Sequence, residues 1–352
     1  MAERGPLLWL PFGEPVPGRS GWCDGAALYA LATNGSARRS WWLGPKLVGI
    51  EAEHGGYWKP VAGLPDFDPH VDPELLAALG CPHPASWGSV FRHLMKREGS
   101  APPWLPATMA GHFRAWSGGP WSEARQVGLL PGVWWRSDLR AAYRWAGSIG
   151  LPDPRTFRMW HRSEGRRPGL WWAEHTGTPD PELPAALRDR RIVVSDEELE
   201  RLPLSVRRLS GVTWAPGKPW GGPGWLDRIL NPLLPRWQRV MGRAYWGAWL
   251  GSSRLRCVTP CRAWELPSRA ALPPWALVII GRVRLRVWEL AAKADGAHVH
   301  VDEVITRTPP AYGDAPGDWH LKQCYPAGLE VHRTGHFGAP GARADMMTGV
   351  SR

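Results

Sequence analysis

The sequence predicts an α+β fold built on an antiparallel sheet, and three stretches carry that expectation. Strand-forming residues run through Val127 to Trp135 and lead into a helical stretch, Leu139 to Ala146. A long helix is expected over Pro274 to Ala294, with Trp275, Ile279, Val283, Val287 and Leu290 at helical spacing and Lys293-Ala-Asp-Gly296 as its end signal. Valines then alternate with polar residues from Ala297 to Arg307, a strand that carries an acid where a hairpin should turn.

The other elements follow in order. The first hundred residues are rich in Gly and Pro and read as irregular, with short helical stretches at Pro73 to Leu79 and Trp87 to Lys96. Glu98-Gly-Ser-Ala-Pro-Pro103 is the best boundary, giving an N-terminal region over 1–105 and a core over 106–352. Strands are expected around Trp171 and at Ile192 to Ser195. Ser195-Asp-Glu-Glu198 has the form of a capping box and opens a short helix to Leu202. A helix from Asp227 to about Trp249 should break near Pro232 and Pro235. Strand residues Trp319 to Lys322 complete the sheet, and no internal repeat is visible.

Composition narrows the function. A chain of 352 residues, 43% apolar and 21% charged, is globular and long enough for two domains. No apolar run reaches the roughly 20 residues of a membrane span, and the N-terminus lacks the order of a signal peptide, so a cytoplasmic protein is expected. Five cysteines, an odd number, read as reduced thiols, and Cys257-x-x-x-Cys261 alone is weak as a zinc site. The net charge is +11, and only six of the 43 cations are lysines. Arginine's planar fork suits phosphate, although a GC-rich genome would produce much of the same excess. The charge favours a polyanionic partner, and some of the 25 tryptophans are candidates for stacking on bases.

Two aspartates are placed for metal work. Asp138 stands at a strand-to-helix junction, and Asp302 on the hairpin. Phosphoryl transfer needs chiefly divalent ions held by carboxylate oxygens from two elements that meet in space. Each acid alone is more often a solvated turn aspartate.

Four segments in order change that reading. Trp116-Ser-Gly-Gly119, Asp138 to Tyr143, Arg239 to Gly247 and His300-Val-Asp302 together resemble the family B DNA polymerases, most closely their phage, plasmid and mobile-element branches. The first is similar to the Tyr-x-Gly-Gly element that touches template. Asp138-x-x-x-x-Tyr143 resembles Asp-x-x-Ser-Leu-Tyr-Pro of the palm. Arg239-Val-Met-Gly-Arg-Ala-Tyr-Trp-Gly247 is similar to the fingers motif Lys-x-x-x-Asn-Ser-x-Tyr-Gly. His300-Val-Asp302 stands where the family carries Asp-Thr-Asp, after Ile280-Gly-Arg-Val-Arg284, which echoes Ile-Thr-x-x-Arg.

The resemblance implies a palm with an antiparallel sheet, helical fingers, and a template-directed DNA polymerase that replicates DNA. It assigns Asp138 and Asp302 as catalytic metal ligands, with the Leu139 carbonyl as a further ligand, for two Mg²⁺ or Mn²⁺ ions. Tyr143, Arg239, Trp246 and Gly247, with Leu139, would bind the incoming deoxynucleoside triphosphate, Tyr143 by excluding a 2′-hydroxyl. Trp116, Gly118, Gly119 and Lys322 would contact the DNA primer-template, and a replication accessory protein is an expected partner.

The departures are specific. His300 replaces an acid, Arg239 the family lysine, Arg144 a proline and Ala141 a serine, and Gly335-His-Phe337 stands where Lys-x-Tyr would meet the primer. Glu51-Ala-Glu53 faintly echoes the first exonuclease motif without partners, so proofreading is not expected. The N-terminal region is read as a degenerate exonuclease remnant or a template-binding segment, in which Arg38-Arg39-Ser-Trp-Trp42 offers phosphate donors and stacking rings. The chain after Asp302 is too short for a full thumb. Three rival readings stay open: a catalytically retired palm that binds nucleic acid, a primer-synthesising enzyme, and a zinc hydrolase using His298-x-His300-x-Asp302, with His320, His332 and His336 as further ligands.

Overall fold

The computed structural model describes residues 9–10, 20–23, 25–43, 46–53, 55–60, 91, 94–99, 121–160, 167–217, 219–221, 224–231, 238, 255–259, 261–266, 273–341 and 345–346. The chain divides into two units, Met1–Trp104 with Leu233–Ala271, and Leu105–Pro232 with Leu272–Ser351.

In the first unit, β1 (Trp9–Leu10), β2 (Ser20–Cys23), α1 (Gly25–Thr33), β3 (Ala37–Leu43), β4 (Lys46–Ala52) and β5 (Tyr57–Pro60) are followed much later by β13 (Leu255–Val258) and β14 (Ala263–Leu266). They form one mixed sheet in the order β1-β2-β5-β4-β3-β13-β14. The β1–β2 and β2–β5 pairs are parallel and the rest antiparallel. Leu28 of α1 packs with Cys23, Leu47, Ile50 and Trp58 over this sheet.

The sequence reading took this region as irregular and assigned 233–271 to the core. Short strands broken by Gly and Pro show little period-two pattern. The pairing of Cys257 with Trp41 binds the later segment into the first unit. Arg38 and Arg39 lie 3.5 and 3.2 Å from the Glu51 carboxylate. Trp42 donates its indole N–H to Ser40 Oγ at 2.8 Å, and Trp41 packs against Tyr57.

The second unit contains β6 (Ser122–Ala124), β7 (Gly128–Leu130), β8 (Trp134–Leu139), α2 (Ala142–Ser148), β9 (Arg158–Met159), β10 (Gly169–His175), β11 (Arg191–Ser195), α3 (Asp196–Arg201), β12 (Val206–Thr213) and α4 (Trp225–Leu230). After the excursion into the first unit come α5 (Pro273–Lys293), β15 (Gly296–His300), β16 (Glu303–Thr306), β17 (Trp319–Tyr325), β18 (Leu329–Arg333), β19 (His336–Gly338) and β20 (Asp345–Met346). They build three antiparallel sheets: β17-β8-β16-β15-β6, β11-β10-β12-β9 and β20-β19-β18-β7. The expected α+β architecture with an antiparallel sheet is therefore what the chain adopts.

The expected stripe of α5 is its buried face: Trp275, Ile279, Val283 and Val287 are all buried. The helix packs against β15, β16 and α2. Its Arg284 is buried against Glu198 of α3, with Nε 2.8 Å from Oε1. Glu198 also accepts the Ser195 backbone N–H at 2.9 Å while Ser195 Oγ accepts the Glu198 N–H, which is the expected capping box. Gly281 exists for this junction, since a Cβ there would lie 2.8 Å from Glu198 Oε2. Arg282, one position on, donates to the carbonyls of Ala146 and Gly150 at 2.8 and 2.6 Å and so closes the C-terminal end of α2. The strand at Asp138 ends at Leu139, and the helix begins only at Ala142, after Ala141 takes a left-handed φ of 47°. No helix among the described residues is long and apolar enough to cross a membrane.

Candidate active site

The five-stranded sheet brings the two aspartates together. Asp138 is the penultimate residue of the inner strand β8, and Asp302 lies in the two-residue turn between β15 and β16. Leu139 donates its backbone N–H to the Asp302 carbonyl at 2.8 Å, so the two acid-bearing segments are hydrogen-bonded directly. The next N–H, of Arg140, is held by the Asp318 carbonyl at 2.8 Å, and Gly317 N–H returns to the Arg140 carbonyl. The backbone after Asp138 is thus fixed on both sides before α2 starts.

The turn itself is strained. Val301 precedes Asp302 with φ of 61°, a region that β-branched residues avoid, and its N–H is held by the Trp121 carbonyl at 2.7 Å. His298 and His300 share a strand face, but Asp302 lies beyond the strand, where period two no longer applies.

Cross-strand pairing supplies the neighbours. Glu303 of β16 sits opposite Asp138 on one side, and His320 of β17 opposite it on the other. Three side chains in one row across adjacent strands share a face. The register of β17 shifts between Leu321 and Gln323, which leaves Lys322 as the extra residue of a bulge. Its ammonium reaches Asp138 Oδ2 at 3.1 Å and Glu303 Oε2 at 2.9 Å. Arg136 donates Nε to the other oxygen of Glu303 at 2.9 Å, and His320 Nε2 stands 3.8 Å from Asp138.

Burial and repulsion set the electrostatics. Burial, followed by the charge of Asp138, pushes the Asp302 carboxyl up to about 7. Burial also raises Asp138, against the pull of Lys322. Tyr143, on the first turn of α2, is raised by burial and then by Asp302 and Asp138, which places its phenol in the field of both acids. Burial acts to lower Lys322, but Glu303 and Asp138 outweigh it and hold the ammonium above its ordinary value. Arg144 reaches from α2 to α4, donating Nε to Asp227 at 3.0 Å and a terminal nitrogen to Asn231 at 3.0 Å, so the helix carrying Tyr143 is tied down.

A metal ion fits the donors. Asp138 Oδ1 is buried without a hydrogen-bond partner, and Asp302 is a second hard oxygen donor under repulsion from the first. Among the described residues no group of three or more His, Cys, Asp or Glu is placed to hold a metal. Two carboxylates are hard oxygen donors of the kind Mg²⁺ accepts, whereas a zinc site would need a cluster of ligands that the described residues do not assemble. His298 is fully buried, accepts the Gly335 N–H at 2.9 Å, packs on Phe337, and is held neutral with its pKa lowered to about 4 by burial, then His300 and Arg136. His300 Nδ1 faces Ser122 Oγ at 3.2 Å. Phe337, at the expected primer-contact position, is likewise in the core.

Comparison with solved structures places the architecture. The chain superposes on phi29 DNA polymerase bound to single-stranded DNA with a TM-score of 0.61 and 11% identity, covering 93% of this chain and 82% of that one. The same polymerase with primer-template DNA and incoming nucleotides gives a TM-score of 0.60 at 12% identity over the same shares. The fold is phi29-polymerase-like. No family model and no curated protein matches the chain. At this identity the likeness to phi29 polymerase is one of fold.

The structure brings Asp138, Leu139, Tyr143, Asp302 and Lys322 to this site. Trp116, Gly118, Gly119, Arg239, Trp246 and Gly247 lie outside the described residues. Sequence reasoning missed Glu303 and Arg136 as members of the site, and it expected Lys322 at DNA rather than between two carboxylates. Strand pairing with Asp138 was the signal for Glu303; the bulge that turns Lys322 inward left none.

Proposed function

We propose that the chain is a template-directed DNA polymerase that joins deoxynucleotides to a primer end by metal-assisted nucleotidyl transfer. The observation that carries this reading is the direct hydrogen bond between the Asp138 and Asp302 segments, which sets two half-buried carboxylates at one end of the inner strands β8 and β16, with Tyr143 in the field of both. The phi29-like fold supports it.

In this reading Asp138 and Asp302 hold two Mg²⁺ or Mn²⁺ ions, with the Leu139 carbonyl as an additional donor. Held there, such ions would supply positive charge for the phosphoryl oxygens and for the attacking 3′-oxygen. Tyr143 packs under the sugar and leaves no space for a 2′-hydroxyl. Arg239 takes the triphosphate, and Trp246 and Gly247 the nascent base pair. Trp116, Gly118 and Gly119 touch the template strand, while Lys322 stays between Asp138 and Glu303.

Primer extension tests the proposal, in Mg²⁺ and in Mn²⁺, with Asp138→Asn and Asp302→Asn as controls. Extension by the wild type and its loss in both variants, with DNA binding retained, supports it, because duplex affinity rests chiefly on phosphate contacts. One observation favours a second reading, a retired palm that only binds nucleic acid: Lys322 already occupies an oxygen of Asp138. DNA binding without any extension by the wild type selects that alternative. Products formed from template alone would instead mark a primer-synthesising enzyme.

A further inference from the structure

We infer that Lys322 is a cation built into the site that competes with the divalent ion for Asp138 and is kept by Glu303 once the ion enters. The inference rests on the polymerase reading and concerns how its metal is admitted.

Three observations converge on it. The ammonium bridges two carboxylates of different standing. Asp138 retains a buried oxygen with no partner, whereas Glu303 is almost wholly buried and has both oxygens engaged, one by Arg136 and one by Lys322. Glu303 is therefore a fixed anchor and Asp138 the exchangeable end.

The second observation is the bulge. In an unbroken strand Lys322 would stand opposite Arg136, cation against cation. The shift gives that place to Gln323 and leaves Lys322 to lean toward the acids. The backbone irregularity thus serves this contact.

The third is the charge balance. Asp138, Asp302 and Glu303 face Arg136 and Lys322, so the cluster carries one net negative charge when all five are ionised. Without Lys322 it would carry two, matching a divalent ion. With Lys322 in place the ion binds weakly alone and is completed by a substrate that brings its own negative charge, the triphosphate. Lys322 stays beside it, held by Glu303.

Mn²⁺ binding to the full chain, followed by electron paramagnetic resonance without DNA or nucleotide, reads this directly. Lys322→Gln should tighten Mn²⁺ binding by about tenfold, the scale of one partly exposed ion pair removed from competition. Lys322→Arg should stay near wild type. Glu303→Gln should weaken binding, because the ammonium then has only Asp138 to hold. Opposite signs from two variants that each remove an ion pair would not arise from general loosening of the fold. Unchanged or weaker binding in Lys322→Gln overturns the inference while leaving the polymerase reading intact. Wild-type Mn²⁺ binding that survives Asp302→Asn places the metal elsewhere and overturns both.

Discussion

Replacing Asp302 by Asn should stabilise the metal-free protein at alkaline pH. Burial and the neighbouring Asp138 raise the folded-state pKa of Asp302 to about 7, from an ordinary 3.8. The folded chain therefore keeps a proton that the unfolded chain releases. Stability from this group is complete below about pH 4, falls as pH rises toward 7, and is gone above that. At 1.36 kcal/mol for each pH unit between the two values, the cost of ionising Asp302 in the folded state is at most about 4 kcal/mol. Relaxation of the loop and water at its rim reduce the expectation to about 2 kcal/mol. Asn keeps the shape and carries no charge. In EDTA at pH 8, Asp302→Asn should melt roughly 4–8 °C above wild type for a domain of this size. At pH 4 the two should coincide. The assay is thermal unfolding followed by circular dichroism across pH 4 to 8. A variant no more stable than wild type at pH 8, or a difference that does not grow with pH, would refute the half-buried carboxylate repelled by Asp138 on which the metal site depends.

Other outcomes follow from the same geometry. Tyr143→Ala should raise ribonucleotide over deoxynucleotide incorporation by roughly 10- to 200-fold in steady-state kinetics, the range of a lost steric contact; unchanged discrimination would assign the exclusion to another group. Arg284→Ala leaves the Glu198 carboxylate buried without its cation and should cost about 3–5 kcal/mol in denaturant unfolding, whereas Arg190→Ala, whose partner Glu174 keeps Arg207, should leave the unfolding midpoint near wild type. The described residues after Asp302 are taken up largely by sheets, with no helix to wrap a duplex, so single-encounter extension against a DNA trap should yield only a few nucleotides per binding event and weaken steeply with salt. Products of hundreds of nucleotides would show a clamp elsewhere in the chain.

Much of the second unit was legible because its signals are local. The α5 stripe, the Ser195–Glu198 capping box and the valine alternation of β15 and β16 each occupy one short window, and each reappears in place. The helix over Leu139 to Ala146 started too early, since apolar spacing cannot reveal that Leu139 is held in the sheet by Asp302 and that Ala141 turns left-handed. The first unit was opaque for a different reason. Its sheet joins strands distant in sequence, and β13 carries no mark of its partnership with β3. At the site, the two acids were legible as residues, whereas the cations beside them depend on register. One added residue in β17 decides where Lys322 lies, and no composition or period records it.

The β3–β13 pairing also sets an order of events during synthesis. Leu43 cannot meet Leu255 until some two hundred further residues have left the ribosome, about 10–40 s at ordinary elongation rates. Through that interval β3 is an open sheet edge, the kind of template on which chains aggregate. Its two adjacent arginines, Arg38 and Arg39, are the charges that protect such an edge, and the Glu51 carboxylate on β4 holds them there. The pair read from sequence as a place for phosphates thus stands immediately before the four residues, Ser40 to Leu43, that wait for β13.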